Sequence, residues 1–449
     1  MSATIHIVGG GLVGTLAAIF LARRNYNVEL YERRGDMRKG PVDAGRSINL
    51  VVTPRGLVAL DRVGLKEKVL EIAIPLEGRM LHDAKGQTTY VPYGHKPGEV
   101  INAVSRGLLN VLLLKAAGEY KNINIHFRRK CTGYDVAAKT ISFLNEETGK
   151  EEKVAAGVTI GADGAFSAIR HVMLDKVINF NYAQDFLPYG YKELVIPPDG
   201  KGAHRMKNGV FHIWPRGDYM LIGIPNIDGS FTCTLFLRRQ GEYGFDSLKT
   251  AADLANFFKK IFPDAVPLMP TLEQDFFKNP TGSLVTVKCA PWHIGGQAML
   301  LGDAAHAIVP FYGQGMNTGF EDCTALGEIL DSGEKDWQTI FEKLDAARKP
   351  NTDAIADMAV ENFREMRDTT ADPKFQLKKQ VGFALEDRHP GRFIPRYSMV
   401  MFHPEIPFAE ARRRADAQER LLDDLCANIN TLEQVDWKKA DDLVRRVCA

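Results

Sequence analysis

The length, composition and charge of this chain exclude several classes of protein. Its 449 residues exceed the length at which one hydrophobic core stops growing, so we expect at least two linked domains. Hydrophobic residues make up 45% of the chain and charged residues 25%, a composition typical of soluble globular proteins. The formal net charge of +1 provides no basic surface field, so a nucleic-acid partner is not expected.

Cysteine spacing and hydropathy indicate a cytoplasmic protein. The six cysteines include no CxxC pair and no metal-ligand spacing, so we predict reduced thiols and no metal site. The N-terminus starts with a strand pattern rather than a signal peptide, and no run approaches the roughly eighteen apolar residues of a membrane span. We therefore expect a cytoplasmic protein without a membrane anchor.

The first 180 residues show the pattern of a mixed α/β domain. The β-branched run Thr4–Val8 predicts a buried parallel strand, an apolar helical pattern follows from Leu12, and Asn27–Glu32 predicts a second strand. Residues 78–93 have the pattern of a β-hairpin, and residues 158–160 that of a further buried strand.

A different pattern interrupts this domain. Strand-like segments joined by turn residues predict an antiparallel sheet, and the pattern beyond Pro350 is mostly helical. The predicted fold class is therefore α/β (α+β). A Rossmann-like domain over residues 1–180 and 286–350 is interrupted by an antiparallel β-sheet domain over 181–285, and a C-terminal helical region covers 351–449.

A glycine-rich motif joins the first strand to the first helix. Gly9-Gly10-Gly11-Leu12-Val13-Gly14 has the GxGxxG spacing of a dinucleotide-binding turn. Gly9 permits the tight turn, Gly11 lets a pyrophosphate approach the backbone, and Gly14 lets helix and strand pack closely. Glu32 ends the second strand, where a carboxylate can bind a ribose hydroxyl pair. A glycine turn beside a surface glutamate is the alternative.

A second glycine loop indicates which dinucleotide the chain binds. Asp303 ends a predicted strand, where its carboxylate can hold a polyol such as the ribityl chain of a flavin. Residues 310–317 then lead into a helix predicted to begin at about Thr318. Its N-terminal N–H groups would face a ligand bound at that end of the helix. Facing a flavin, they would stabilise its anionic reduced form. A simple strand-terminal turn is the alternative interpretation of Gly302-Asp303.

Three motifs of the chain together resemble the signatures of the single-component, FAD-dependent aromatic hydroxylases. The third is Gly161-Ala162-Asp163-Gly164, with Ser167 and Arg170 downstream. The resemblance implies FAD as cofactor and NADPH and O2 as co-substrates. Since only one dinucleotide fingerprint is present, NADPH would dock transiently in a surface groove. The FAD contacts it implies are Gly9, Gly11, Leu12, Val13, Gly14, Glu32, Arg33, Arg34, Arg106, Cys131, Asp163, Asp303, Gly315, Met316 and Asn317.

Further segments narrow the resemblance to the branch of that family that hydroxylates L-kynurenine, and this resemblance covers essentially the whole chain. They are residues 45–50, 212–215, 217–220, 310–317 and 392–399. Eukaryotic members of the branch carry a C-terminal hydrophobic anchor that is absent here, which implies a soluble enzyme of bacterial type. The substrate contacts implied are Arg79, Tyr93, Asn362, Met366, Tyr397, Phe211, Ile222, Ile224, Phe236, Pro310, Phe311 and Tyr312.

The implied substrate is an aniline with a zwitterionic amino-acid tail, so its site needs a carboxylate-binding group and an apolar slot. Arg79 and Tyr93 lie on opposite strands of the predicted hairpin and nearly abreast, so both can reach one carboxylate. A surface arginine stacked on a tyrosine is the alternative. Asn362 and Met366 share one helix face, although Met366 alone would be interpreted as a core residue. Inward-facing sheet residues are predicted to form the slot: Phe211, Ile222, Ile224 and Phe236.

The reaction that the resemblance implies is a hydroxylation in tryptophan catabolism. NADPH reduces the flavin, oxygen adds at flavin C4a to give a hydroperoxide, and the terminal oxygen attacks the ring carbon ortho to the amino group. The product would be 3-hydroxykynurenine. Two alternatives stay open: a hydroxylase of another aminoaromatic acid such as anthranilate, and a non-hydroxylating FAD-binding reductase or interaction module. Arg79 with Tyr93 argues against the second, because such a module needs no carboxylate-binding group.

Overall fold

Two large sheets of different type and a set of C-terminal helices make up the computed structural model. The structure describes residues 4–40, 49–94, 96, 98–368 and 373–448, without the side chains of residues 364 and 366–368. The strands in these ranges are β1 (Thr4–Val8), β2 (Asn27–Glu32), β3 (Asn49–Val52), β4 (Ala73–Leu76), β5 (Gly78–His82), β6 (Thr88–Pro92), β7 (Ile101–Ser105), β8 (Ile123–Phe127), β9 (Arg129–Asp135), β10 (Thr140–Asn145), β11 (Glu151–Ala155), β12 (Val158–Gly161), β13 (Asn181–Ile196), β14 (Val210–Arg216), β15 (Tyr219–Pro225), β16 (Phe231–Arg238), β17 (Gly282–Ala290), β18 (His293–Ile294) and β19 (Ala298–Leu300). The α-helices are α1 (Leu12–Ala22), α2 (Pro54–Arg62), α3 (Lys66–Leu70), α4 (Arg106–Gly118), α5 (Ala168–Lys176), α6 (Ala251–Ile261), α7 (Leu272–Lys278), α8 (Asp303–His306), α9 (Gly315–Asp331), α10 (Trp337–Asp368), α11 (Pro373–Arg388), α12 (Arg396–Phe402), α13 (Phe408–Cys426) and α14 (Trp437–Val447).

A six-stranded sheet with the order β18-β19-β12-β1-β2-β8 forms the first domain. Its strands pair in parallel, except for β18 with β19. The central strand β1 is apolar, with Ile5, Ile7 and Val8 at most 2% exposed, and α1 is buried along nearly its whole length against it. Val8 lies beside both Tyr31 and Gly161, so β1, β2 and β12 end at one edge of the sheet. The predicted βαβ unit is therefore present, and its motifs meet at this edge.

The second sheet has seven strands in the order β17-β13-β16-β15-β14-β5-β6. Its strands between residues 181 and 290 pair antiparallel, as predicted. The β5–β6 hairpin joins the same sheet through parallel pairing of β5 with β14, with Arg79 opposite Phe211. The predicted antiparallel sheet is therefore extended by one parallel pair, which the sequence analysis did not predict. Local sequence patterns do not show this pairing, because it joins segments far apart in the chain.

The two faces of the seven-stranded sheet bury different parts of the protein. Successive side chains of a strand point to opposite faces. Trp214 and Leu235 belong to the face that packs with Phe257 and Phe258 of α6. The opposite face, which includes Ile222 and Phe236, packs with residues of α10 and α12. This second face therefore lies between the sheet, the C-terminal helices and the end of the first domain.

Helix α10 runs without interruption through Pro350, where the sequence predicted a domain boundary. A proline inside a helix removes one backbone donor and favours a kink. Packing of α10 against α9 and α13 holds the helix on both sides of Pro350. The predicted boundary at 350/351 thus lies inside one helix, and the predicted limits of the domains stay predictions.

The mixed α/β fold class with a C-terminal helical region is confirmed. All six cysteines lie within the described residues and are free. No helix in the described part of the chain combines the length and the apolar character needed to cross a membrane.

A chain of buried charges connects the C-terminal region to the first domain. Arg55 of α2 is 2% exposed, and its Nη1 donates to Glu321 Oε1 at 2.9 Å. The same guanidinium donates to backbone oxygens of the C-terminal region: Met399 at 3.1 Å, Val400 at 3.0 Å, His403 at 2.9 Å and Ile406 at 2.6 Å. Arg55 therefore holds the C-terminal half of α12 and the turn that follows it.

The same chain of charges continues to the strand-end loop of the first domain. Arg348 of α10 donates to Glu321 Oε2 at 2.9 Å and to Asp322 Oδ1 at 2.8 Å. Asp322 Oδ2 accepts from the Gly302 N–H at 3.0 Å and lies 2.6 Å from His306 Nε2. Burial would raise the pKa of Asp322, but His306 and Arg348 lower it, so the carboxylate stays ionised.

Replacement of Arg55 by methionine should destabilise the protein strongly. The variant leaves Glu321 without one partner and four buried carbonyls without a donor, so the free energy of unfolding should fall by about 3–5 kcal/mol. Chemical denaturation measures the loss. Arg62→Met on the same helix is the matched control, because its ion pair with Glu328 is exposed and should contribute less than about 1 kcal/mol. Similar losses in both variants would contradict this prediction.

Candidate functional site

A cavity of about 300 Å³ lies where the strands of the parallel sheet end, against the inner face of the seven-stranded sheet. Backbone of the first domain lines one end, and side chains of the second sheet and of α12 line the other. The predicted cofactor and substrate residues that line this first cavity are Gly11, Leu12, Val13, Arg79, Tyr93, Arg106, Phe211, Ile222, Ile224, Phe236, Asp303, Pro310, Phe311, Tyr312, Gly315, Met316 and Tyr397.

The glycine turn shows a separate steric requirement at each of its three spaced glycines. Gly9 has φ +108°, and a Cβ there would lie 2.3 Å from the Ala162 carbonyl oxygen. A Cβ on Gly14 would lie 2.0 Å from the Gly9 carbonyl oxygen, so helix and strand are in close contact. No atom lies within 4 Å of the position of a Cβ on Gly11. Gly11 therefore borders open space, as a turn that admits a phosphate group requires.

Glu32 packs directly against the glycine turn. Its Cβ would lie 2.8 Å from a Cβ on Gly10, and the residue is 4% exposed. Its Oε1 accepts from the backbone N–H and from Nε of Arg34, both at 2.8 Å. Arg33 is exposed beside it. Glu32, Arg33 and Arg34 therefore lie next to the turn but outside the lining of the first cavity.

Asp303 and the start of α9 form the opposite wall at the same end. Asp303 is the first residue of α8, after Gly302 with φ +59°. The first backbone hydrogen bond of α9 runs from Thr318 N–H to Gln314 O at 2.8 Å. The N–H groups of the three preceding residues, Gly315, Met316 and Asn317, therefore have no acceptor within the helix.

The side chain of Asn317 has a structural task. Its amide nitrogen donates to Val51 O at 2.8 Å and to Gly313 O at 2.9 Å. Its amide oxygen accepts from the Thr53 N–H at 3.0 Å. Any contact of Asn317 with a cofactor would therefore use its backbone.

Asp163, Cys131 and Arg106 surround the glycine turn from other elements. Asp163 Oδ2 accepts from the Ala168 N–H at 2.7 Å, while its buried Oδ1 has no hydrogen-bond partner among the described residues. Burial, and then the charge of Asp163, raise the pKa of Cys131 to about 12, so this thiol stays protonated. Arg106 begins α4, is exposed and lines the first cavity. Asp163 and Cys131 lie outside that lining.

Arg79, Tyr93 and Tyr397, which we call the Arg79 cluster, meet at the far end of the first cavity. The guanidinium carbon lies 5.2 Å from the ring centroid of Tyr93 and 4.9 Å from that of Tyr397. The two rings are 5.5 Å apart and parallel within 6°. Arg79 pairs with Val91, so Tyr93 lies diagonally across the hairpin, on the same face. Burial raises the pKa of both tyrosines, so their hydroxyls stay neutral, and side-chain hydrogen bonds join them to the Arg79 guanidinium and to each other.

The apolar slot lies between the Arg79 cluster and the glycine turn. Phe211, Ile222, Ile224 and Phe236 line it from the seven-stranded sheet. From the opposite side come Pro310, Phe311 and Tyr312, in a short 3₁₀ turn before α9. The Phe311 ring lies 5.2 Å from Phe236, which closes the slot laterally. Burial raises the pKa of Tyr312, so its hydroxyl is neutral.

One of the two predicted substrate residues on α10, Asn362, lies behind the wall of the first cavity and does not line it. Asn362 is 2% exposed, and its amide nitrogen donates to Phe311 O at 2.8 Å. It therefore supports the 3₁₀ turn from behind. Met366 follows on the same helix, but its side chain lies outside the described residues, as do residues 45–48 of the segment 45–50.

Several lining residues were missed from the sequence. Met220 and Thr234 share the inward face with Ile222 and Phe236, so strand alternation could have identified them. Asn49, Val51 and Met401 reach the cavity from β3 and α12, and no local pattern indicates this.

The residues at the first end of the cavity fit an FAD. Gly11 leaves room for a pyrophosphate at the N-terminus of α1, and Asp303 offers a carboxylate between two helix N-termini. The orphaned Asp163 Oδ1 adds a further buried acceptor beside the turn. The donor set is thus suited to a dinucleotide that extends from the turn towards the apolar slot.

Comparison with known proteins gives the same assignment. The family model described as an FAD binding domain matches residues 2–184 and 269–358. Kynurenine 3-monooxygenase of Myxococcus xanthus (strain DK1622) is 48% identical over 442 residues, covering 98% of this chain and 95% of the relative. The enzyme of the same name from Dictyostelium discoideum is 40% identical, covering 98% and 97% of the two chains.

Solved structures share the fold. A tetrameric 2-methyl-3-hydroxypyridine-5-carboxylic acid oxygenase has a TM-score of 0.65 at 20% identity, covering 83% of this chain and 94% of that chain. PqsL of Pseudomonas aeruginosa, in complex with 2-aminobenzoylacetate, has a TM-score of 0.63 at 17% identity, covering 82% and 97%. The fold, the cavity and the matching family model place the chain in the class of FAD-binding flavoproteins. Within that class, the chain belongs to the kynurenine 3-monooxygenase family.

Replacement of Gly11 by valine should remove FAD without unfolding the protein. The new side chain meets no protein atom within 4 Å of its Cβ, but it occupies the space required by the pyrophosphate. We expect a colourless protein with an unchanged circular dichroism spectrum. Gly14→Ala is the contrasting variant, because its Cβ would contact the Gly9 carbonyl and should disturb folding itself. A yellow, FAD-loaded Gly11→Val protein would contradict the role of this turn.

Proposed function

We propose that this chain is an FAD-dependent monooxygenase that converts L-kynurenine to 3-hydroxykynurenine with NADPH and O2. The proposal rests on one observation: the glycine turn and the Arg79 cluster line the same cavity, the first cavity. When bound, reduced FAD would provide the electrons that activate O2, and one oxygen atom of O2 would enter the substrate ring while the other leaves as water. The protein supplies binding, orientation and exclusion of water.

The Arg79 cluster binds the substrate carboxylate. A guanidinium offers two parallel N–H donors that match a carboxylate, and the neutral tyrosine hydroxyls can add a third. Contacts with the rings of Tyr93 and Tyr397 hold the Arg79 guanidinium in place. The cluster therefore fixes the amino-acid tail of the substrate at the end of the cavity away from the glycine turn.

The apolar slot then positions the aniline ring. Phe211, Ile222, Ile224 and Phe236 provide one wall, and the 3₁₀ turn over Pro310–Tyr312 provides the other. Asn362 holds that turn through the Phe311 carbonyl, so it acts as a positioning residue. With the carboxylate fixed, the ring is held between these walls, in a site with little water.

The FAD is bound at the opposite end by backbone and carboxylate groups. Gly11, Leu12 and Val13 would hold the pyrophosphate, Glu32 the ribose, and Asp303 the ribityl chain. The N-terminus of α9, with Gly315 and Met316 at the cavity, provides positive potential for the reduced flavin. NADPH docks transiently near the segment that contains Asp163, because the chain has one dinucleotide fingerprint.

The activity is tested by NADPH oxidation with and without L-kynurenine, combined with mass spectrometry of the product. We expect kynurenine to stimulate oxidation and to gain one oxygen atom. Anthranilate is the control, because it lacks the amino-acid tail that spans the distance from the Arg79 cluster to the slot. NADPH consumption without hydroxylated kynurenine would favour a non-hydroxylating FAD-binding protein. Hydroxylation of anthranilate as fast as that of kynurenine would favour a hydroxylase of another aminoaromatic acid.

Replacement of Arg79 by alanine should weaken kynurenine binding by about 2–5 kcal/mol, since it removes one partner of a desolvated charge pair. Arg79→Lys should recover part of the loss, because an ammonium lacks the planar pair of donors. Lys85→Ala is the matched control, as it lies exposed in the turn of the same hairpin. Equilibrium titration of the flavin absorbance measures binding. Wild-type affinity in both Arg79 variants would remove this residue from the site.

A further inference from the structure

A second cavity lies on the other side of the Arg79 cluster. Its volume is about 140 Å³, and it is enclosed by the β5–β6 hairpin, α11, α12 and α13. Arg79, Tyr93, Tyr397 and Tyr312 line both cavities and form the wall between them. The second cavity therefore adjoins the proposed kynurenine site without belonging to it.

Two polar side chains of this second cavity have an atom without a hydrogen-bond partner among the described residues. Gln418 of α13 is 3% exposed; its side chain hydrogen-bonds the Cys448 thiol, while its amide oxygen has no partner in that part of the chain. Ser398 of α12 is 1% exposed, and its hydroxyl has none there either. A buried amide oxygen without a partner is unfavourable, so a ligand that satisfies it is favoured. This free oxygen requires a donor.

Lys379 of α11 is one of several charged residues that line the second cavity, together with Arg79, Lys378, Arg396, Glu365 and Glu419. Its Nζ is 3.4 Å from Pro92 O and 5.6 Å from the Phe383 ring centroid. The neighbouring carboxylate, Glu365, already accepts from Arg396 at 2.9 Å. Burial and then the charge of Arg79 lower the pKa of Lys379 to about 8, and the charge of Glu365 only partly offsets this effect. A carboxylate in the cavity would provide a counter-ion for the ammonium.

The remaining walls indicate a flat, apolar ligand. Aromatic rings of Tyr93, Tyr397, Phe375, Phe383 and Phe393 surround the cavity. A cavity of about 150 Å³ is large enough for a single benzene ring. The volume of about 140 Å³ therefore suits one ring with small substituents.

We propose that the second cavity binds a single-ring aromatic carboxylate that also carries an amine. The carboxylate pairs with Lys379, the amine donates to the Gln418 amide oxygen, and the ring lies among the aromatic side chains. This site is additional to the proposed kynurenine site, and the two share only the wall formed by the Arg79 cluster and Tyr312.

The test is calorimetric titration of the FAD-loaded enzyme with anthranilate, without NADPH, after the first cavity has been saturated with L-kynurenine. We expect about one further equivalent to bind. Aniline, which lacks the carboxylate, should not bind. Absence of anthranilate binding to the saturated enzyme, or equal binding of aniline, would overturn the proposal.

Two variants assign the binding to the second cavity. Lys379→Met should weaken anthranilate binding by about tenfold or more, since it removes the counter-ion. Gln418→Leu, which has a similar side-chain volume, should also weaken anthranilate binding. It replaces Lys379→Met in the test if that variant loses FAD. Lys438→Met on α14 is the control, because that lysine is exposed and lies outside the cavity lining. Wild-type anthranilate affinity in both cavity variants would overturn the assignment. Kynurenine binding, measured separately, tests the proposed function independently.

Discussion

Arg55 joins parts of the chain that are more than three hundred residues apart, and the site depends on this junction. Its guanidinium binds Glu321 and four carbonyls around α12, so the helix carrying Tyr397 is fixed to the first domain. Arg348 and Asp322 continue the contact to Gly302, directly before Asp303. Removal of a buried charge from such a network leaves its partners unsatisfied, so the network behaves as one unit. The two ends of the first cavity are therefore set relative to each other by buried charges.

The position of the hairpin is the second constraint on the site. Because β5 pairs in parallel with β14, Arg79 lies beside Phe211 and on the same sheet face as Ile222 and Phe236. The arginine is held by two aromatic rings, one from the hairpin and one from α12. The planar set of N–H donors of an arginine held beside aromatic rings suits recognition of a carboxylate. The same cluster also divides the space under the C-terminal helices into two cavities.

Much of the fold could be predicted because its signals are local. The βαβ unit follows from a β-branched strand, a glycine turn and an apolar helix, which determine their own conformations. The antiparallel strands follow from alternation and turn residues. The continuous course of α10 through Pro350 and the parallel pairing of β5 were not predictable in this way. Both depend on packing with segments distant in sequence, such as α9, α13 and β14.

By itself, the sequence determined the chemistry of both ends of the site: the glycine turn with Glu32 and Asp303, and Arg79 with Tyr93. Their residue types and spacing carry that information, since the relevant geometry is confined to a turn or a hairpin. Only the tertiary structure decided that Tyr397 completes the Arg79 cluster, and that Asn317 and Asn362 support neighbouring backbone. It also decided that Lys379 and Gln418 face one cavity. These contacts join distant segments, so they follow from packing and burial and have no local pattern.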